Sequence, residues 1–256
     1  YLQITNNCAV LKSNEIYMIS FLIIKPAIFL KISHIYDFAH VIPIGFKQIP
    51  SYLCQTMSLL SNYLEGKIEA GVDEAGRGCM AGPVVAAAVI LPTNYKHALL
   101  NDSKKLTSKQ REVLRLDIIR DAIDYSVAEV SHTIIDQVNI LNATMKAMHK
   151  AIKGLKKQTP DLLLIDGNRF KPYPGIAHEC FVQGDGKYLS IAAASILAKT
   201  HRDHLMEKLS KIHPEYGWDV NAGYATEKHR LAMETLGLTP YHRTTFHFKP
   251  KQLDLF

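Results

Sequence analysis

From Lys67 onward the apolar residues fall into strand-length and helix-length blocks that alternate along the chain. Val84–Leu91 (VVAAAVIL) is an unbroken apolar run entered through Gly82-Pro83, the pattern of a strand buried on both faces. Lys67–Asp73 mixes β-formers with polar residues and predicts the strand before it. Thr107, with Gln110 three residues later, has the spacing of a capping box and opens a helix. Val113, Leu116, Ile119 and Ile123 are assigned as that helix's apolar stripe. Asp124–Val130 reads as a third strand, and Ile134–Leu155 as mostly helical, with Leu141, Met145, Met148 and Ile152 toward the core. Those methionines are expected to pack rather than to contact a cofactor. Asp161–Ile165 and Ile176–Val182 are two further strands. Leu189–Leu209 is a long helix whose first half, SIAAASILA, is small enough to lie close on a sheet. Thr226 caps a last helix, with Leu231, Met233 and Leu236 inward, that stops at Gly237. Strands and helices alternating in this way predict an α/β fold around a mixed central sheet.

Residues 1–56 differ from the rest. Their apolar bursts, Tyr17–Ile24 and Ala27–Ile32, have no clear period and are divided by Lys25-Pro26, so neither is long enough to span a bilayer. No basic start and small-residue cleavage site mark a signal peptide. The expectation is that residues 1–56 are translated upstream sequence or a poorly specified extension. A catalytic domain is expected over residues 57–248, and a short C-terminal tail over 249–256.

Composition narrows the class only slightly. The 256 residues are 47% hydrophobic and carry a net charge of +6, compatible with a polyanionic partner without requiring one. None of Cys8, Cys54, Cys79 and Cys180 forms a C-x-x-C pair, which argues against a zinc ribbon or a dithiol redox site. His201, His204, His242 and His247 lack partner ligands at zinc spacing and are read as surface or nucleic-acid-facing residues. A reducing, cytoplasmic location follows as the simpler expectation, and nothing calls for more than a monomer.

The chemistry centres on Gly71-Val72-Asp73-Glu74-Ala75-Gly76-Arg77-Gly78. Two adjacent carboxylates at the end of a buried strand are costly unless a cation or proton compensates them. Glycines there let the backbone approach a ligand, and the arginine offers planar donors suited to phosphate. Asp166-Gly167 repeats the arrangement at the end of another apolar strand, and Ser195, Lys199 and Asp203 share one helix face. Each residue also has a plainer reading: a turn for the acidic pair, a cap for Asp166, an exposed ion pair with Arg202 for Asp203. If the four carboxylates converge, they suit hard divalent cations with oxygen ligands, two of which can clamp a phosphodiester.

The segments GVDEAGRGCMAGPVVAAAVILP, DSKKLTSKQRE, LLIDGN, SIAAASILAKTHRD, NAGYATEKH and HRTTF resemble, in order, the signatures of ribonuclease HII, a type 2 ribonuclease H. The resemblance covers roughly residues 65 to 248. It implies an RNase H-like fold with a small C-terminal helical region. It also implies a Mg²⁺- or Mn²⁺-dependent endonuclease that cuts 5′ of ribonucleotides in RNA–DNA hybrids and in duplex DNA, leaving 3′-hydroxyl and 5′-phosphate ends. Asp73, Glu74, Asp166 and Asp203 match the family's metal-binding carboxylates. Gly76, Arg77 and Gly78 match the loop that senses the ribose 2′-hydroxyl, and Tyr224 the tyrosine that stacks at the ribonucleotide–deoxyribonucleotide junction. Lys104 and Lys105 lie where the family contacts phosphate. Thr245 stands where serine is common and keeps the hydroxyl. Two rival readings are an RNase H-like exonuclease or polynucleotidyl transferase, and a non-catalytic nucleic-acid-binding module. The tail Gln252-Leu253-Asp254-Leu255-Phe256 resembles the peptide by which bacterial replication proteins dock on the sliding clamp. Leu253, Leu255 and Phe256 would supply its apolar contacts and Gln252 a hydrogen bond; the alternative is a tail packed on its own domain.

Overall fold

The structure, a computed structural model, describes residues 59–100 and 106–247. Lys104, Lys105, the expected extension over residues 1–56 and the tail residues Gln252, Leu253, Leu255 and Phe256 lie outside the described residues.

The alternating blocks become β1 (Glu69–Ala75), β2 (Val84–Ile90), α1 (Ser108–Asp121), β3 (Asp124–Val130), α2 (His132–Gly154), β4 (Leu162–Asp166), β5 (Ala177–Phe181) and α3 (Leu189–Ile212). The short α4 (Trp218–Asn221) and α5 (Glu227–Leu236) follow. Five strands form one mixed sheet in the order β3-β2-β1-β4-β5. β1 is central, antiparallel to β2 and parallel to β4. The alanines of β2 keep both sheet faces low, and every β2 side chain is buried.

One face packs against α1 and α3, where Val85, Ala87 and Val89 meet Leu114, Ile118 and Ala193–Leu197. The other packs against α2, where Val72, Ala86 and Ile165 meet Ala143, Ala147 and Met148. α3 comes unusually near β1: a Cβ on Gly71 would lie 2.1 Å from the Ser190 carbonyl carbon, so only glycine permits this approach. A third, smaller core surrounds Trp218, with Met80, Met206, Tyr216 and Met233, and holds the C-terminal helical region.

Thr107 makes the expected capping box with Gln110. The stripe expected on α1 is displaced, however. Val113 and Leu116 are 53% and 61% exposed, Ile123 lies beyond the helix, and Leu114 and Ile118 are the buried positions. The inward face runs Arg111, Leu114, Ile118, and its first member is a charged residue whose Nη1 donates to the Leu106 carbonyl at 2.7 Å and Nη2 to Ser108 Oγ at 3.2 Å. α5 departs for the same reason. Leu231 and Leu236 are exposed, and the inward face is His229, Ala232 and Met233. A hydrophobicity pattern does not count an arginine or a histidine that tertiary partners satisfy. His242 is likewise buried rather than on the surface. α2 contains one non-helical residue, Asn139 (φ 64°), whose side chain accepts a hydrogen bond from the Asn142 N–H and restarts the helix.

Candidate active site

β1 and β4 run parallel with Val72 opposite Ile165, so Asp73 and Asp166 follow next on neighbouring strands. Alternation directs both toward α3, as it does Leu164, which packs on Ile191. Ser195, one turn and more beyond Ile191 on α3, hydrogen-bonds Asp73. Asp73 Oδ1 also accepts the Glu74 N–H at 2.6 Å, and Asp166 Oδ1 accepts the Gly184 N–H at 2.7 Å.

Three carboxylates therefore share one corner, Asp73 buried and Glu74 and Asp166 half-buried. Burial pushes Asp73 well above the ordinary carboxylate range, and the charges of Glu74 and Asp166 push it further. Glu74 is also raised, by burial first, although Arg77 Nη1 donates to its Oε1 at 3.0 Å and opposes the shift. The second oxygen, Oε2, is buried without a hydrogen-bond partner. An orphaned carboxylate oxygen among like charges is the expected mark of a site that a cation completes. The donors are all oxygen, which fits a hard divalent cation such as Mg²⁺ or Mn²⁺. Among the described residues no three ligating side chains already converge at coordinating distance.

Asp203 stands apart from the trio. It lies two turns beyond Ser195, about 12 Å along the helix axis. Its oxygens take Lys199 Nζ at 3.0 and 3.1 Å, with Arg111 3.9 Å away. The ion pair with Arg202 considered from sequence is not formed, since Arg202 is buried and donates to the carbonyls of Pro83, Ala81 and Ala222.

The Gly76-Arg77-Gly78 loop continues directly from β1. Gly76 has φ +92°, and a Cβ there would lie 2.0 Å from Arg202 Nε. A Cβ on Gly78 would meet nothing within 4 Å. Cys79 bridges to Tyr224 in antiparallel fashion, which carries the 44%-exposed Tyr224 ring to the loop's side. The Arg202 guanidinium sits 6.0 Å from that ring's centre. Sequence reasoning took Arg202 only as a partner for Asp203 and missed Arg243 and Asp136; the contacts of all three hold the loop and the turn beside it. The available signal was Arg243's place inside HRTTF.

A mixed sheet with carboxylates at the ends of adjacent parallel strands, backed by α3, defines a nuclease-type RNase H-like α/β protein. The ribonuclease HII family model matches residues 70–249. The ribonuclease HII of Cytophaga hutchinsonii is 86% identical over 200 residues, spanning 78% of this chain and 99% of that protein. That of Parabacteroides distasonis is 58% identical, spanning 77% and 99%. Among solved structures, the ribonuclease H2 of Pyrococcus horikoshii OT3 superposes with TM-score 0.59 at 28% identity, covering 70% of this chain and 93% of that one. RNase HII in the PCNA:RNase HII complex from Archaeoglobus fulgidus gives 0.59 at 26% identity, covering 74% and 100%. The chain belongs to the ribonuclease HII family. It is accordingly a ribonuclease, with the RNase H-like fold.

Proposed function

We propose that this protein hydrolyses the phosphodiester on the 5′ side of a ribonucleotide, both within RNA–DNA hybrids and at single ribonucleotides embedded in duplex DNA. The observation that carries this reading is the mutually repelling set of buried Asp73 and half-buried Glu74 and Asp166, set beside an open glycine loop and an exposed tyrosine. Asp73, Glu74 and Asp166, joined by Asp203, are the residues that would hold divalent cations, Mg²⁺ or Mn²⁺ and in pairs. When bound, such ions supply an activated water and neutralise the phosphate's charge. Ser195 keeps Asp73 oriented, and the Gly184 N–H does the same for Asp166. Arg77 holds Glu74 in place from the solvent side. Lys199 holds Asp203 one turn further along α3, where Arg111 of α1 also approaches it.

Gly76, Arg77 and Gly78 would read the ribose 2′-hydroxyl, the group that separates RNA from DNA, and Tyr224 would stack at the junction. Lys104 and Lys105 are proposed phosphate contacts. The products would carry 3′-hydroxyl and 5′-phosphate ends. A transferase or exonuclease would have no use for a ribose-reading loop, and a pure binding module would gain nothing from carboxylates that repel phosphate.

The catalytic domain is proposed to span residues 57–248, within a cytoplasmic protein. Among the described residues no helix is long and apolar enough to cross a membrane. The tail Gln252, Leu253, Leu255 and Phe256 is proposed to dock on a sliding clamp, a reading supported by a relative solved as a PCNA:RNase HII complex. The test is a DNA duplex carrying one ribonucleotide, incubated with Mg²⁺ or Mn²⁺. Wild type should make one cut 5′ of the ribonucleotide, and Asp73→Asn or chelator should abolish it. Equal cutting of an all-DNA duplex would end the 2′-hydroxyl reading, and binding without cleavage would favour the binding module.

A further inference from the structure

The His242–Phe246 segment lies beneath the glycine loop and is stitched to it. Arg243 is 1% exposed, yet it makes no ion pair among the described residues. Its guanidinium is spent on backbone carbonyls: Nη2 to Gly76 O at 2.7 Å and Pro83 O at 3.2 Å, Nη1 to Arg77 O at 2.9 Å, and Nε to Gly82 O at 3.0 Å. Burial lowers its pKa to about 10, so it stays charged at neutral pH. A buried charge compensated by carbonyl dipoles and by the Phe246 ring 4.9 Å away, with no ion pair, is a costly way to fill a core, and an apolar side chain would fill it at less cost. What the arginine gains is control over where those carbonyls point.

That control has a direction. No peptide bond among the described residues is cis, and across a planar trans peptide the C=O and N–H point opposite ways. Turning the carbonyls of Gly76 and Arg77 inward turns the N–H groups of Arg77 and Gly78 outward. Neither N–H has an acceptor among the described residues. The space before Gly78 is open, as the missing Cβ contacts show. Two adjacent backbone donors thus face open space next to Glu74. The turn that carries Arg243 is fixed in its own right. Asp136 accepts the N–H and hydroxyl of both Thr244 and Thr245, between 2.6 and 3.1 Å, and the Arg243 N–H donates to Met80 O at 2.8 Å.

We propose that Arg243 is a positioning residue for ribonucleotide recognition: its planar fork locks two successive peptide units of the loop so that the Arg77 and Gly78 N–H groups are aimed at the substrate's ribose. This rests on the proposed reading of the loop as the ribose sensor. Arg243→Lys tests it, because a lysine keeps the charge but cannot hold four carbonyls in one plane. Two measurements are needed. One is binding, in calcium, of a single-ribonucleotide duplex and of the matching all-DNA duplex. The other is the amide NMR resonances of Arg77 and Gly78.

Expected for Arg243→Lys is a folded protein whose Arg77 and Gly78 amides are displaced. Its preference for the ribonucleotide duplex should fall about tenfold, the worth of one or two hydrogen bonds, with all-DNA affinity unchanged. A purely structural role would instead weaken both duplexes together and lower the melting temperature. That outcome overturns the proposal, as does a folded variant with wild-type preference and unmoved amides. Failure of wild type to cut at a ribonucleotide would sink the proposed activity alone, since the amide positions in the free protein still decide whether Arg243 sets the loop.

Discussion

Gly76 and Gly78 sit two residues apart in one loop, and the structure gives them opposite tolerances for a methyl group. At Gly76 an alanine must adopt φ near +92° and place its Cβ 2.0 Å from Arg202 Nε. The backbone term costs about 1–2 kcal/mol. The overlap falls on a side chain that cannot swing away without breaking its bonds to the carbonyls of Pro83, Ala81 and Ala222. Losing one charge-assisted bond adds about 1.5–3 kcal/mol. The total, about 2.5–5 kcal/mol, corresponds to a fall in melting temperature of about 5–20 °C for a domain of this size. At Gly78 the backbone needs no positive φ and the new methyl meets nothing. The stability change should stay within about 0.5 kcal/mol. The methyl does enter the space in front of the outward N–H groups, so cleavage at a single ribonucleotide should fall about tenfold or more, equivalent to about 1.4 kcal/mol of transition-state stabilisation. Thermal melts beside single-turnover cleavage separate the two effects. Equal destabilisation by both alanines, or full activity in Gly78→Ala, would refute the assignment of the open space to substrate.

Removing the repulsion at the carboxylate corner should stabilise the metal-free protein. Asp73 titrates above its unfolded value, so its contribution to stability is full at low pH and is lost as pH rises through the raised folded value. Asp73→Asn should therefore melt higher than wild type at pH 7 in chelator while losing cleavage, and added Mg²⁺ should raise the melting temperature of wild type more than that of the variant; a lower melting temperature in chelator would contradict this. His242 behaves oppositely. Burial, with help from His229, lowers its pKa to about 4, so its contribution is full above about 6.5 and is lost as pH falls through about 4. Urea unfolding at pH 7 and pH 4.5 should show a shallower loss in His242→Gln than in wild type. Deleting Gln252–Phe256 should abolish clamp capture without altering the melting temperature or the cleavage rate, and retained capture would remove the tail from consideration.

Much of this molecule could be read before any coordinates. The strands announced themselves because the central sheet is buried on both faces, which leaves runs such as VVAAAVI with no polar residue to confuse the period. Thr107, Thr226 and Gly237 marked helix ends because capping is local, within a turn of the chain. Asp73, Glu74 and Asp166 stood out because carboxylates at the ends of apolar strands are costly to bury without a compensating charge or proton. Tertiary structure decided what depends on distant partners. His229 occupies an inward helix face that composition marks as polar, because Trp218 and His242 from other segments meet its ring there. Asp203 pairs with Lys199 one turn earlier rather than with its neighbour Arg202, because Arg202 is claimed by carbonyls 119 to 121 residues away in sequence. The outward aim of the glycine loop depends on Arg243, some 166 residues distant. Sequence carries what a residue does to its own few neighbours. Which way a peptide plane faces is set by whichever buried donor the completed fold delivers beneath it.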